Sequence, residues 1–128
     1  MKAQDIFELV AMLTFSTTQA DKDDYAQFFL PALNMLLRDN FEINNALRLA
    51  RGKEALISTP LINDISEEVE YEEEFTRLIL PFGCAGYIYA DDDPNMAADY
   101  KNKYEYERTR VLFAGYEVTE DMWNASDS

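Results

Sequence analysis

The sequence predicts an all-α fold: a small antiparallel helical bundle of four to five helices, with one ordered crossover loop and a loose acidic C-terminal tail. Three observations carry that expectation. Apolar side chains recur at three- and four-residue steps through most of the chain. Aspartates and prolines stand where helices would start, most clearly in Asp91-Asp92-Asp93-Pro94. The apolar fraction of 48%, with 13% aromatics, is enough to build a core against a net charge of -14.

The elements follow in order. Ile6, Leu9, Val10 and Leu13 give a first helix from about Ala3 to Leu13, and the hydroxyl-rich Thr14–Ala20 reads as a loop. Asp21, Asp23 and Asp24 supply a cap and a negative first turn for the next helix. Its apolar stripe runs through Tyr25, Phe28, Phe29, Ala32, Leu33, Leu36 and Leu37, and continues by Phe41, Ile43, Ala46, Leu47 and Leu49 to a stop at Gly52. Pro31 falls inside it and must kink or restart the helix.

Arg51–Ser66, with Gly52, Pro60 and Asn63, reads as the crossover loop, with room for a short extended segment. A third helix is expected to begin between Ser66 and Tyr71. Phe75, Leu78, Ile79, Phe82, Ala85, Gly86 and Ile88 or Tyr89 would face inward, and Pro81 would add a kink or restart. The small run Gly83–Gly86 lets another helix approach closely, against a propensity penalty of roughly 1 kcal/mol per glycine. Ala97, Tyr100, Tyr104, Arg108, Val111 and Leu112 form the inner face of a fourth helix, with Asp99–Lys103 and Glu107–Arg110 at pairing distance along it. At 128 residues the chain fits one domain, 1–116, followed by the acidic tail 117–128.

Composition narrows the function. There is no histidine, which removes the commonest general base and the commonest transition-metal ligand. Cys84 is the single cysteine, so no internal disulfide forms, and its apolar neighbours make it packing rather than a nucleophile. The aspartate triplet lacks the spacing of a calcium loop and reads as a helix cap. The run Glu67–Glu74 is too exposed in pattern to raise a carboxyl pKa for acid–base work. No catalytic, cofactor-binding or metal residues are expected, and the chain is read as a non-enzyme. No apolar run approaches the roughly 20 residues of a membrane span, and no signal peptide is evident at the N-terminus. Acids outnumber bases 25 to 11, which argues against specific DNA binding.

Binding to other macromolecules remains, and the charge is segregated in a way that serves it. Asp64–Glu74 holds seven acids without a base, whereas Arg48, Arg51 and Lys53, and then Lys101, Lys103, Arg108 and Arg110, lean the other way. The interface candidates are Arg48, Arg51, Lys53, Glu72, Glu73, Lys101 and Lys103. Met122 and Trp123 join them as bulky apolar residues in a polar tail.

From Pro60 to Phe113 the layout resembles the head–tail connector (adaptor) proteins of tailed bacteriophages. The resemblance rests on Pro60-Leu61-Ile62-Asn63-Asp64-Ile65-Ser66-Glu67-Glu68-Val69-Glu70-Tyr71, an apolar helix, the turn Ala90–Pro94, and Ala97-Ala98-Asp99-Tyr100-Lys101-Asn102-Lys103-Tyr104-Glu105. It implies a helical protein of the virion neck, made in the bacterial host cytoplasm. Such a protein would assemble as a homo-oligomeric ring with portal and tail-completion proteins as partners. An acidic surface lining a DNA conduit would let phosphates pass without sticking. The alternative is an acidic inhibitor or DNA mimic of phage or mobile-element origin that binds a basic nucleic-acid enzyme.

Overall fold

The computed structural model describes residues 1–14 and 19–126, with side chains placed at 1–14 and 23–113. The described residues form five α-helices and no strand: α1 (Ala3–Leu13), α2 (Gln19–Asp39), α3 (Phe41–Ala50), α4 (Leu80–Ile88) and α5 (Pro94–Ser126), with a π-helical stretch, Phe75–Ile79, leading into α4. The all-α bundle expected from the periodicity is the fold.

At the centre is α4. Its sequence, LPFGCAGYI, carries no charge and buries Leu80, Pro81, Gly83, Cys84, Ala85 and Ile88, as a helix apolar all round must. It packs against α1, α2 and α5. The turn Tyr89–Asp93 is short, so α5 returns antiparallel beside it. The core gathers Ile6, Val10, Phe29, Leu33, Leu36, Leu37, Phe75, Ile79 and Leu80, all essentially inaccessible to water.

Several local expectations are met. Asp93 accepts the Met96 N–H at 3.1 Å, capping α5, with Pro94 in the first helical position. Gly52 ends α3 with φ of 77°, a conformation that favours glycine. The N–H of Gly52 bonds the Leu49 carbonyl at 3.1 Å and that of Lys53 bonds Arg48 at 2.9 Å, a complete Schellman closure. At Gly83 an added Cβ would lie 2.8 and 2.9 Å from the Leu36 methyls and 3.1 Å from the Tyr104 ring, so close helix approach is the reason for that glycine.

Other expectations are corrected. The helical stretch expected to kink or restart at Pro31 and continue to Gly52 instead divides at buried Asn40, whose side-chain amide donates to the Leu36 carbonyl at 2.8 Å. The third helix starts later than expected, at Glu73, because the segment before it is engaged elsewhere. Val69 N–H donates to Met1 O at 2.9 Å, Lys2 and Glu68 form an antiparallel bridge, and the Tyr71 hydroxyl donates to the Leu37 carbonyl. Leu78 and Leu112 are exposed rather than inward-facing. Asp99 and Lys103 do not pair; the Lys103 ammonium lies instead over the rings of Tyr100 and Phe82, 5.5 and 5.8 Å from their centroids.

Neither internal proline breaks its helix. Pro31 lies within α2 on an exposed face, where water can solvate the carbonyl it leaves unpaired. Pro81 is the second residue of α4, separated from the π-helical stretch by Leu80 alone. The carbonyl four residues back, on Arg77, lies within the wider turn, which gives the ring room.

Candidate interaction surfaces

The crossover loop between α3 and α4 is sewn down by side chains. Asn34 donates to the Ile62 carbonyl at 2.9 Å and accepts the Ile62 N–H at 2.8 Å. Asn45 does the same for Leu56, at 3.1 and 2.8 Å. Each amide thus plays the part of a neighbouring strand. Arg48 adds bonds to the carbonyls of Glu54 (2.7 Å, from Nε) and Glu70 (3.3 Å, from Nη1). Sequence reasoning passed over these asparagines. The readable signal was three of them, Asn34, Asn44 and Asn45, in helix interiors that disfavour asparagine, with a fourth, Asn40, at the junction between the two helices.

At the inner edge of the loop lies Glu72, which is buried. Lys53 Nζ donates to its two oxygens at 2.9 and 3.1 Å, and Arg51 Nη1 donates at 3.1 Å. Arg48 Nη1 approaches to 3.7 Å. The Glu72 N–H donates to Asn44 Oδ1 at 2.9 Å, and Arg51 Nη2 reaches on to Glu74 at 2.8 Å. Burial alone would push this carboxyl up. The hydrogen bonds and charges of Lys53 and Arg51 outweigh that and hold it below the ordinary carboxylate range. Four of the residues proposed as interface candidates, Arg48, Arg51, Lys53 and Glu72, are therefore brought together by one intramolecular cluster.

The remaining candidates are spread out. Glu73 is exposed and pairs with Arg77 one turn on, at 3.2 Å. Lys103 covers the two aromatic rings described above. Lys101 lines a groove of about 590 Å³ between α4, α5 and the end of α2, which Asp39, Gly83, Tyr87, Glu105 and Arg108 also line. The side chains of Met122 and Trp123, and the tail from 117 on, lie outside the described side chains.

A second junction closes the far side of that groove. Asn40 Nδ2 donates to the Tyr104 hydroxyl at 3.0 Å, Arg108 Nε donates to Asn40 Oδ1 at 2.9 Å, and the Arg108 guanidinium lies 5.3 Å from the centre of the Tyr104 ring. Burial raises the Tyr104 phenol above its ordinary value. Two other tyrosines finish α1: Tyr100 donates to the Leu13 carbonyl, and Tyr89 donates to Thr14 O at 2.8 Å.

A separate cleft of about 410 Å³ opens on the outer side of the crossover loop, between Glu54–Ser58 and the Glu68–Glu70 segment. Among the described residues no group of three or more histidine, cysteine or acidic side chains is placed to hold a metal ion. No described helix is long and apolar enough to cross a membrane. Comparison with protein-family models, with curated proteins and with solved structures returns no match.

Proposed function

We propose that this chain is a structural protein of the kind its second half resembles, a head–tail connector that joins a ring between portal and tail and lets DNA pass. The observation that carries the reading is the form of α5. It runs as one helix from Pro94 to Ser126 on a compact body, and its last described side chains, Leu112 and Phe113, are exposed apolar groups. Tyr106 is exposed on the same helix. A long helix offering exposed apolar side chains midway along its length suits docking onto a neighbour. The acidic balance suits a surface that phosphates must pass.

Light scattering behind size exclusion over a wide concentration range, with negative-stain images of the leading peak, tests this. Closed rings, alone or on a portal, are the expected result. A chain that stays monomeric in the presence of portal overturns it.

One observation favours the acidic-inhibitor reading as second choice. Arg48, Arg51 and Lys53 would interrupt the negative surface of a DNA mimic, but they are turned onto Glu72 and Glu74. Competition separates the two: a mimic displaces DNA from a basic nucleic-acid enzyme, and a connector does not.

A further inference from the structure

We propose that the cleft outside the crossover loop binds an extended segment of a partner protein in which basic and apolar residues alternate. This surface does not depend on ring closure and goes beyond the connector reading.

Two side chains of α3 hold the walls of the cleft. Arg48 at its base bonds the Glu54 carbonyl on one wall and the Glu70 carbonyl on the other, while Asn45 fixes Leu56 through both its backbone groups. The walls are therefore preorganised, which lowers the ordering penalty of binding.

What the walls present is unmatched. Among the described residues no hydrogen bond reaches the backbone of Ala55, Ile57 or Ser58, although each is an exposed residue lining the cleft. The pairing of Leu56 with Asn45 shows that this segment can already accept a strand-like neighbour on one side. In an extended chain the residue before a paired one turns its N–H and C=O groups to the other side, as at Ala55, while Ile57 and Ser58 stand at a bend with their backbone groups left to a neighbour. Beside them the Ile57 side chain is fully exposed, an apolar contact awaiting cover.

The charge specifies the occupant. The carboxylates of Glu54 and Glu70 are exposed and have no ion pair among the described residues, whereas Glu68 on the same wall is paired with the Met1 ammonium at 3.0 Å. The other cations nearby, Arg48, Arg51 and Lys53, are engaged on backbone carbonyls, Glu72 and Glu74, so Glu54 and Glu70 are left without an ion pair. An ammonium or guanidinium has donors and no acceptor, the complement of carboxylates and free carbonyls. The chain's net charge of -14 would also draw a basic partner from a distance.

The probe is a fluorescein-labelled Lys-Val-Lys-Val-Lys-Val peptide, read by anisotropy and by amide shifts in two-dimensional NMR. Binding that weakens with salt and shifts the amides of Ala55, Ile57 and Ser58 is expected. Glu54→Lys with Glu70→Lys should lower affinity by roughly tenfold or more. The same charge change at Asp91 and Asp92, in the exposed turn before α5, should lower it far less. A peptide N-methylated at alternate residues should bind more weakly than its parent. Amide shifts scattered over the acidic surface, or equal losses from the two charge reversals, would overturn the proposal. So would equal binding by the methylated peptide. Both pairs are exposed, and thermal melts of each variant confirm that the fold is kept.

Discussion

Arg108 and Asn40 stand 68 positions apart, and the Nε of one donates to the Oδ1 of the other at 2.9 Å. That bond fixes α5 to the α2–α3 junction, because Asn40 simultaneously donates to Tyr104 and to the Leu36 carbonyl. Asn40→Ala should cost about 2–4 kcal/mol, since it leaves a buried phenol and a half-buried guanidinium without their partner. Thermal melting should show a fall of about 4 °C for each kcal/mol lost. Arg108→Lys should lose part of the same stability, because a single ammonium does not reproduce both the bond and the stacking on Tyr104.

Glu72 makes stability depend on pH with a definite sign. Its folded carboxyl is held below the ordinary glutamate value of 4.5, so its contribution is fully present above that value and fades as pH falls through the lowered folded one. Glu72→Gln should therefore be less stable than the parent at pH 7, with the gap narrowing as the solution is made acid. Urea unfolding at neutral and at acid pH measures both gaps. An equal gap at each would mean that packing, not charge, is what the residue supplies.

The two glycines of α4 should respond in opposite directions. Gly83→Ala forces a Cβ against Leu36, which is buried with its methyls enclosed, and should cost about 1–3 kcal/mol. Gly86→Ala places its Cβ 3.6 Å from Ala97 O and Lys101 N, ordinary contact, and should gain about 0.5–1 kcal/mol of helix stability. Chemical denaturation of the pair distinguishes close helix approach from mere tolerance of glycine.

Asn34→Asp and Asn45→Asp keep the acceptor and lose the donor, so a loop carbonyl loses its partner in each. Each should cost about 1–2 kcal/mol and, more tellingly, speed proteolytic cleavage between Ala55 and Leu61. Cleavage elsewhere first would show that these amides do not hold the loop.

Burial pushes the Cys84 thiol far up, and no solvent reaches it. A disulfide reagent should leave the native protein unmodified and label one thiol per chain once it is unfolded. Fast labelling of the native state would place Cys84 in a mobile part of the core.

The periodicity of Ile6–Leu13, Tyr25–Leu37 and Phe75–Ile88 was enough to read the bundle, and Asp93-Pro94 and Gly52 marked their boundaries correctly. Those signals are local. The features that differ from expectation are settled by distant partners. Tyr71 bonds to α2, Lys103 chooses two rings over Asp99, and Asn40 divides a helix because Tyr104 and Arg108 meet it there. The site was legible in composition only. Arg48, Arg51, Lys53 and Glu72 stood out as charges, but that they would meet one another depends on how the loop folds back, which no spacing encodes.

The tyrosine bonds at the end of α1 also set an order of assembly during synthesis. The partners of Leu13 and Thr14 lie 87 and 75 positions downstream, and the carbonyls that receive the first N–H groups of α1 belong to Ile65 and Glu67. α1 therefore leaves the ribosome long before α4, the helix it packs against most, can cover Ile6 and Val10. Until α4 emerges, the nascent chain carries an amphipathic helix with much of its apolar face bare, open to chaperones and to neighbouring chains on the same message.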